Sequence, residues 1–204
     1  MDRPPEIERG AELLGRGGVV AFPTDTVYGL GAHIFVPGAV ARVFAIKGRP
    51  LRQPLPVLAA GWEQVERLAH PLPPTALVLG EHFWPGALTL VLVAAAGVPQ
   101  ELTARTGKIA LRIPRHPVPL GLIQRLGAPI TGTSANLSGQ PSPTTAQEVR
   151  RQLGDRVDLI IEGGPCPGVE STIVDLTAPE PQLLRAGAIP WGEIARVLNV
   201  EARV

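Results

Sequence analysis

Lysine is rare in this chain. Of 19 basic residues only Lys47 and Lys108 are lysines, and Lys47 stands two positions from Arg49 in KGRP (47–50). An ammonium is a compact point charge and a guanidinium a planar fork, so together they suit a polyphosphate. Gly48 between them lets backbone approach a ligand; a solvated basic turn is the alternative reading. No G-x-x-x-x-G-K-[ST] pattern exists, so this is not a P-loop. Serine is as uneven. The four serines are Ser134, Ser138, Ser142 and Ser171, and three of them share TGTSANLSGQPSPTT (131–145) with Asn136, one of two asparagines. Hydroxyls and free N–H groups ahead of a helix favour an anion or nucleotide. Ser/Thr turn chemistry explains part of the clustering, but so long a uniform loop is uncommon without function.

PTDTVYGLG (23–31) places hydroxyls, a carboxylate and glycines directly after the apolar run VVAF (19–22). Ligands bind at the C-terminal ends of strands in α/β sheets; a turn capped by Asp25 or Thr26 is the plainer reading. Arg112 lies inside ALRIP (110–114). An arginine in an apolar strand needs a partner, either a bound carboxylate or a structural Asp or Glu. Ser171 and Thr172 open one apolar strand and Arg185 ends another; singly these are weak signals. The four histidines lack metal-ligand spacing, no G-x-S-x-G elbow occurs, and Trp62, Trp84 and Trp191 are dispersed enough to be core residues.

The elements that must position these groups alternate. Helices are expected at 4–16, 38–46, 62–69, from Pro73-Pro74 toward Phe83, at 117–126, 144–153 and 190–198. Strands are expected at 19–22, 55–58, 87–93, 109–113, 129–130, 158–162, 171–176 and 182–186. Helix and strand alternate first and strands dominate later, which predicts one α/β domain with a mixed sheet. The length of 204 residues suits one domain, 45% hydrophobic residues suit a compact core, and a net charge of +1 gives no global attraction to nucleic acid. The single cysteine, Cys166, excludes an internal disulfide. No apolar leader or membrane-length run is evident, so a cytoplasmic location is expected.

Seven segments in order resemble the YrdC-like domain family: PTDTVYGLG, KGRP, FWPGALTLVL (83–92), ALRIPRHP (110–117), TSANLSGQPSPT (133–144), GVESTIVDL (168–176) and LLRAGAI (183–189). The resemblance spans residues 7–198, leaving 1–6 and 199–204 as short tails. It implies a twisted mixed parallel/antiparallel sheet with flanking helices and a concave basic face. It also implies an activity, the formation of L-threonylcarbamoyladenylate and pyrophosphate from L-threonine, bicarbonate and ATP, with Mg2+ on the phosphates. A separate transferase complex would carry the product's group to tRNA. By the resemblance, Lys47, Arg49, Ser134 and Asn136 form the catalytic set. Thr26, Arg112 and Ser171 contact threonine. Gln53, Lys108, Ser142 and Arg185 join Lys47, Arg49 and Ser134 on ATP, and no protein metal ligand is expected. Two departures stand out: Leu58 where many members carry histidine, and Lys108 where many carry threonine. The sequence is also expected to lack the C-terminal extra domain of longer members. Rival readings are an RNA-binding module without catalysis, a YrdC-like paralogue with another substrate, and the carbamoyl transfer of hydrogenase maturation, which uses a much longer chain.

Overall fold

The computed structural model describes residues 4–199. Eight α-helices and ten strands form among them. In chain order these are α1 (Pro4–Gly15), β1 (Val19–Phe22), β2 (Gly29–Ala32), α2 (Ala39–Lys47), β3 (Val57–Leu58), α3 (Trp62–Leu68), α4 (Pro74–Phe83), β4 (Leu88–Val93) and α5 (Gln100–Thr103). Then follow β5 (Lys108–Arg112), α6 (Pro117–Leu126), β6 (Ile130–Thr131), β7 (Thr133–Ser134), α7 (Ala146–Leu153), β8 (Leu159–Ile160), β9 (Thr172–Asp175), β10 (Gln182–Arg185) and α8 (Trp191–Leu198). α1 begins at Pro4, ahead of the boundary expected at residue 7; residues 1–3 and 200–204 lie outside the described residues.

The one mixed sheet expected from sequence is two. A four-stranded sheet runs β7-β2-β1-β8 and a six-stranded sheet runs β10-β9-β4-β5-β3-β6. Both mix parallel and antiparallel pairs: β1 is antiparallel to β2 and parallel to β8, while β4 is antiparallel to β5 and parallel to β9. Thr131 ties the sheets together. Its hydroxyl donates to the Leu30 carbonyl and accepts from the Ala32 N–H, each at 3.0 Å.

Strand periodicity explains how one sheet serves both core and site. On β4, Leu88, Leu90 and Leu92 enter the main core with Ile109 and Leu111 of β5, Val174 of β9, and Ala76, Leu79 and Ile194 of α4 and α8. The alternate positions, Thr89 and Val91, face the other way. The registers Val91↔Ala110, Thr89↔Ile173 and Leu58↔Arg112 line these up on one face. A second core forms where Val20 and Phe22 meet Ala11 and Leu14 of α1 and Val118 and Leu122 of α6.

Candidate active site

The outward face of the six-stranded sheet is the floor of a cleft of about 360 Å³. Leu58, Val91, Ala110, Ile173 and Leu184 supply its apolar surface. Arg49, Arg112 and Arg185 enter it with the hydroxyl residues Thr26, Thr89, Thr133, Ser134 and Ser171, and Glu170 is the one carboxylate lining it among the described residues. The segments singled out around residues 26, 49, 112, 134, 171 and 185 therefore converge on one cavity.

Arg112 is only 6% exposed. Its Nε donates to the Gly86 carbonyl at 2.9 Å, Nη1 to Thr26 Oγ1 at 2.9 Å and Nη2 to Asp25 Oδ1 at 2.6 Å. The structural carboxylate that the sequence left open thus exists, and it is Asp25. Three of the five guanidinium N–H groups are engaged, so two remain for a ligand. Burial pulls the Arg112 pKa down and the neighbouring Asp25 charge pulls it back up. Thr26 is itself fixed: Thr24 Oγ1 lies 2.9 Å from its hydroxyl, accepts its backbone N–H at 3.0 Å, and donates to the Val27 carbonyl at 2.7 Å. The turn is indeed capped by a side chain, but the capping hydroxyl is Thr24, in place of the expected Asp25 or Thr26.

Lys47 is the last residue of α2, and Gly48 caps that helix with φ 59°. A left-handed cap is cheap for glycine, and it turns the chain so that Arg49 reaches the cleft. Arg49 is held there by its own turn, Nη2 donating to the Pro54 carbonyl at 2.9 Å. Lys47 is 2% exposed and lies behind the cleft wall. Its ammonium donates to the Ser134 carbonyl, to the Asn136 carbonyl at 2.8 Å and to Asn136 Oδ1 at 3.0 Å. Burial lowers its pKa to about 7, the Arg49 charge pushes the same way, and Glu170 opposes them. Asn136 then organises the serine loop. Oδ1 also accepts from Ser134 Oγ at 2.5 Å, while Nδ2 donates to the Leu137 and Gln140 carbonyls.

Ser171 Oγ lies 2.8 Å from Thr89 Oγ1 and accepts from Arg185 Nη2 at 3.0 Å. Ser142 donates to Glu170, away from the cleft wall. Lys108 is not part of the lining. It pairs with Asp175 at 2.9 Å on the face shared by Ala110 and Arg112, farther along β5. Gln53 is exposed; its carbonyl accepts from Arg49 Nε and its backbone N–H donates to the Pro50 carbonyl. Sequence reasoning missed Thr89, Glu170 and the pairing of Asp25. Thr89 was visible as the lone hydroxyl in an apolar strand, and Glu170 as the acid beside Ser171.

Leu58 forms part of the floor, and Gly132 is cut to fit it: a Cβ on Gly132 would sit 2.4 Å from Leu58 Cγ. Gly132→Ala should lower stability by about 1–3 kcal/mol through overpacking. In a urea-melt cycle, Leu58→Ala should absorb part of that loss, and strict additivity would show that the two do not meet.

The sequence matches the Sua5, YciO and YrdC family, described as telomere recombination, over residues 12–187. The chain belongs to this family. A threonylcarbamoyl-AMP synthase of Bacillus subtilis is 45% identical across 96% of the chain and 57% of its own length. A putative threonylcarbamoyl-AMP synthase of Mycobacterium tuberculosis is 43% identical across 91% of the chain and 86% of its own. The crystal structure of Pyrococcus abyssi Sua5 complexed with L-threonine superposes with a TM-score of 0.92 at 45% identity, covering 94% of this chain and 57% of that one. The chain thus spans little more than half of two of these Sua5-type relatives and most of the third. The Sua5-like fold accounts for the mixed sheets and flanking helices.

Proposed function

We propose that the protein is an L-threonylcarbamoyladenylate synthase, a nucleotidyltransferase acting on L-threonine, bicarbonate and ATP. One observation carries this reading: three guanidiniums and a ring of hydroxyls surround an apolar floor in a single cleft. That arrangement suits one ligand with a carboxylate and a small side chain beside another with phosphates. The relatives named for this reaction, and the Sua5 structure with L-threonine, support it.

In this reading the two free N–H groups of Arg112 hold the threonine carboxylate, with Thr26 and Ser171 alongside. The threonine amine attacks the carbon of bicarbonate; a C–N bond forms, water leaves, and a carbamate results. A carbamate oxygen then attacks the α-phosphorus of ATP and pyrophosphate departs. Lys47, Arg49, Ser134 and Asn136 form the catalytic set. Arg49 and Ser134 face the phosphates directly, and Lys47 and Asn136 set the backbone turn that carries Ser134. Arg185 and Ser142 meet the nucleotide, with Lys108 and Gln53 at its outer reach. The work is positioning and electrostatic stabilisation.

Among the described residues no group of three or more His, Cys, Asp or Glu could hold a metal ion. We assign Mg2+ to the phosphates of ATP and to water, and no step is routed through it. No helix among the described residues is long and apolar enough to cross a membrane. In this reading the reaction runs in the cytoplasm, tRNA and a threonylcarbamoyl-transferase complex are the downstream partners, and tRNA meets a concave basic face. The test is pyrophosphate release with ATP, bicarbonate and single amino acids. Release that depends on L-threonine is expected; release indifferent to the amino acid, or none, would refute the reading.

A further inference from the structure

Glu170 lines the cleft together with the guanidiniums of Arg49, Arg112 and Arg185. One carboxylate oxygen accepts from Ser142 of the serine loop, and the other accepts from Arg185 Nη1 at the end of β10. A donor of the cleft lining, Arg185, and one behind it, Ser142, are thus already taken by a carboxylate belonging to the chain. Arg185 does not need Glu170 for its orientation. Its Nε and Nη2 donate to the Ser171 carbonyl at 3.0 and 2.9 Å, and Nη2 also reaches Ser171 Oγ. The Arg185 and Glu170 side chains are 40% and 33% exposed, whereas the Arg112 and Asp25 side chains are 7% and 16% exposed. An ion pair as open as the first contributes little to stability and opens readily; the second is a fixed part of the fold. Arg49, the third guanidinium of the cleft, is held by carbonyl oxygens alone.

We propose that Glu170 is a resident counter-anion, a positioning residue that occupies Arg185 and Ser142 until it is displaced by the phosphates of the nucleotide. This deepens the synthase reading and rests on it for the identity of the anion. The consequence concerns specificity: Arg185 becomes available only to a ligand with enough negative charge to outcompete a carboxylate, which favours polyphosphates over single carboxylates. A unit charge about 10 Å from another, at the effective dielectric of a protein surface, changes binding about tenfold.

Displacement of Glu170 has a sign that a simple clasp does not share. Glu170→Gln should tighten inorganic pyrophosphate about tenfold by titration calorimetry at fixed ionic strength, and this gain should vanish when Arg185→Gln is added. If Glu170 merely braced the loop, Glu170→Gln would bind pyrophosphate more weakly or equally, and either result overturns the proposal. A readout on the unaltered protein guards against a variant that folds poorly. The side-chain carboxyl carbon signal of Glu170 should shift in NMR as pyrophosphate saturates the cleft, and an unmoved signal also overturns the proposal. None of this needs turnover. A protein that binds pyrophosphate but makes no adenylate from threonine would remove the synthase reading and leave the counter-anion intact.

Discussion

Arg112→Ala is expected to raise the threonine concentration for half-maximal pyrophosphate release about a hundredfold, because a charged hydrogen-bond donor lost inside a site costs a few kcal/mol. The effect should fall on threonine and spare the ATP requirement. Arg112 sits at the C-terminal end of β5, and it is buried with its fork held on three sides by Gly86, Thr26 and Asp25. The side chain is thus rigid before substrate arrives, and binding pays little conformational entropy. Alanine also leaves Asp25 without its ion-pair partner, so some loss of stability is expected from an uncompensated carboxylate. Arg112→Lys separates the two effects. It keeps a positive charge near Asp25 while losing the fork, so the fold should recover while the threonine defect persists. Unchanged threonine dependence in the alanine variant would sink the assignment of Arg112 to the substrate carboxylate.

The elements that carry most of the site were legible because their periods are strong. ALTLVLV and IALRI read as strands and are strands, and the serine loop between a short strand and an α7 that begins near Thr145 was evident from composition. β2 was not legible. Its sequence GLGA has two glycines, which argue against a strand on propensity. The reason for them is tertiary: a Cβ at Gly29 or Gly31 would approach the Phe22 ring at 2.9 or 2.6 Å. The glycines let Phe22 lie across the neighbouring strand, and the hairpin with β1 then sets the 23–28 turn at the rim of the cleft. α5, a single turn over Gln100–Thr103, was missed because so short a helix has no period to read.

The pairings were the least legible part. Asp25 and Arg112 are 87 positions apart, and nothing local says which carboxylate meets which arginine. The same holds for the division into two sheets, which depends on non-local strand pairing. Lysine's rarity did mark Lys47 as special, yet it suggested an ammonium open to phosphate. The structure puts that ammonium behind the wall, with all three of its protons on acceptors of the serine loop. Its leverage is therefore on the geometry of Ser134 and Asn136.

That geometry makes Lys47→Arg a disruptive change although the charge is kept. Turnover should fall by a hundredfold or more, roughly the cost of misplacing catalytic groups by about an ångström. The pocket around Nζ is closed and its three oxygens converge on a point, which a tetrahedral ammonium matches. A guanidinium is longer and planar, and cannot serve all three without pushing residues 134–136 aside. The defect should therefore appear in turnover more than in the ATP requirement. Protonation supplies a second signature. Burial lowers the Lys47 pKa to about 7, so its charged and neutral forms lie close in free energy near neutral pH. Phosphate charge arriving nearby favours the ammonium and raises that pKa, so ATP binding at pH 8 should take up protons. Calorimetry in buffers of different ionisation enthalpy measures the uptake directly. Lys47→Arg, permanently charged, should abolish it. The folding consequence has the same origin. Between about 7 and the usual 10.5 the unfolded chain holds a proton on Lys47 that the folded chain does not, so this residue makes stability rise with pH across that window. Near-normal pyrophosphate release from Lys47→Arg would reduce Lys47 to an ordinary buried lysine, and proton uptake that survives the substitution would assign the titration to another group.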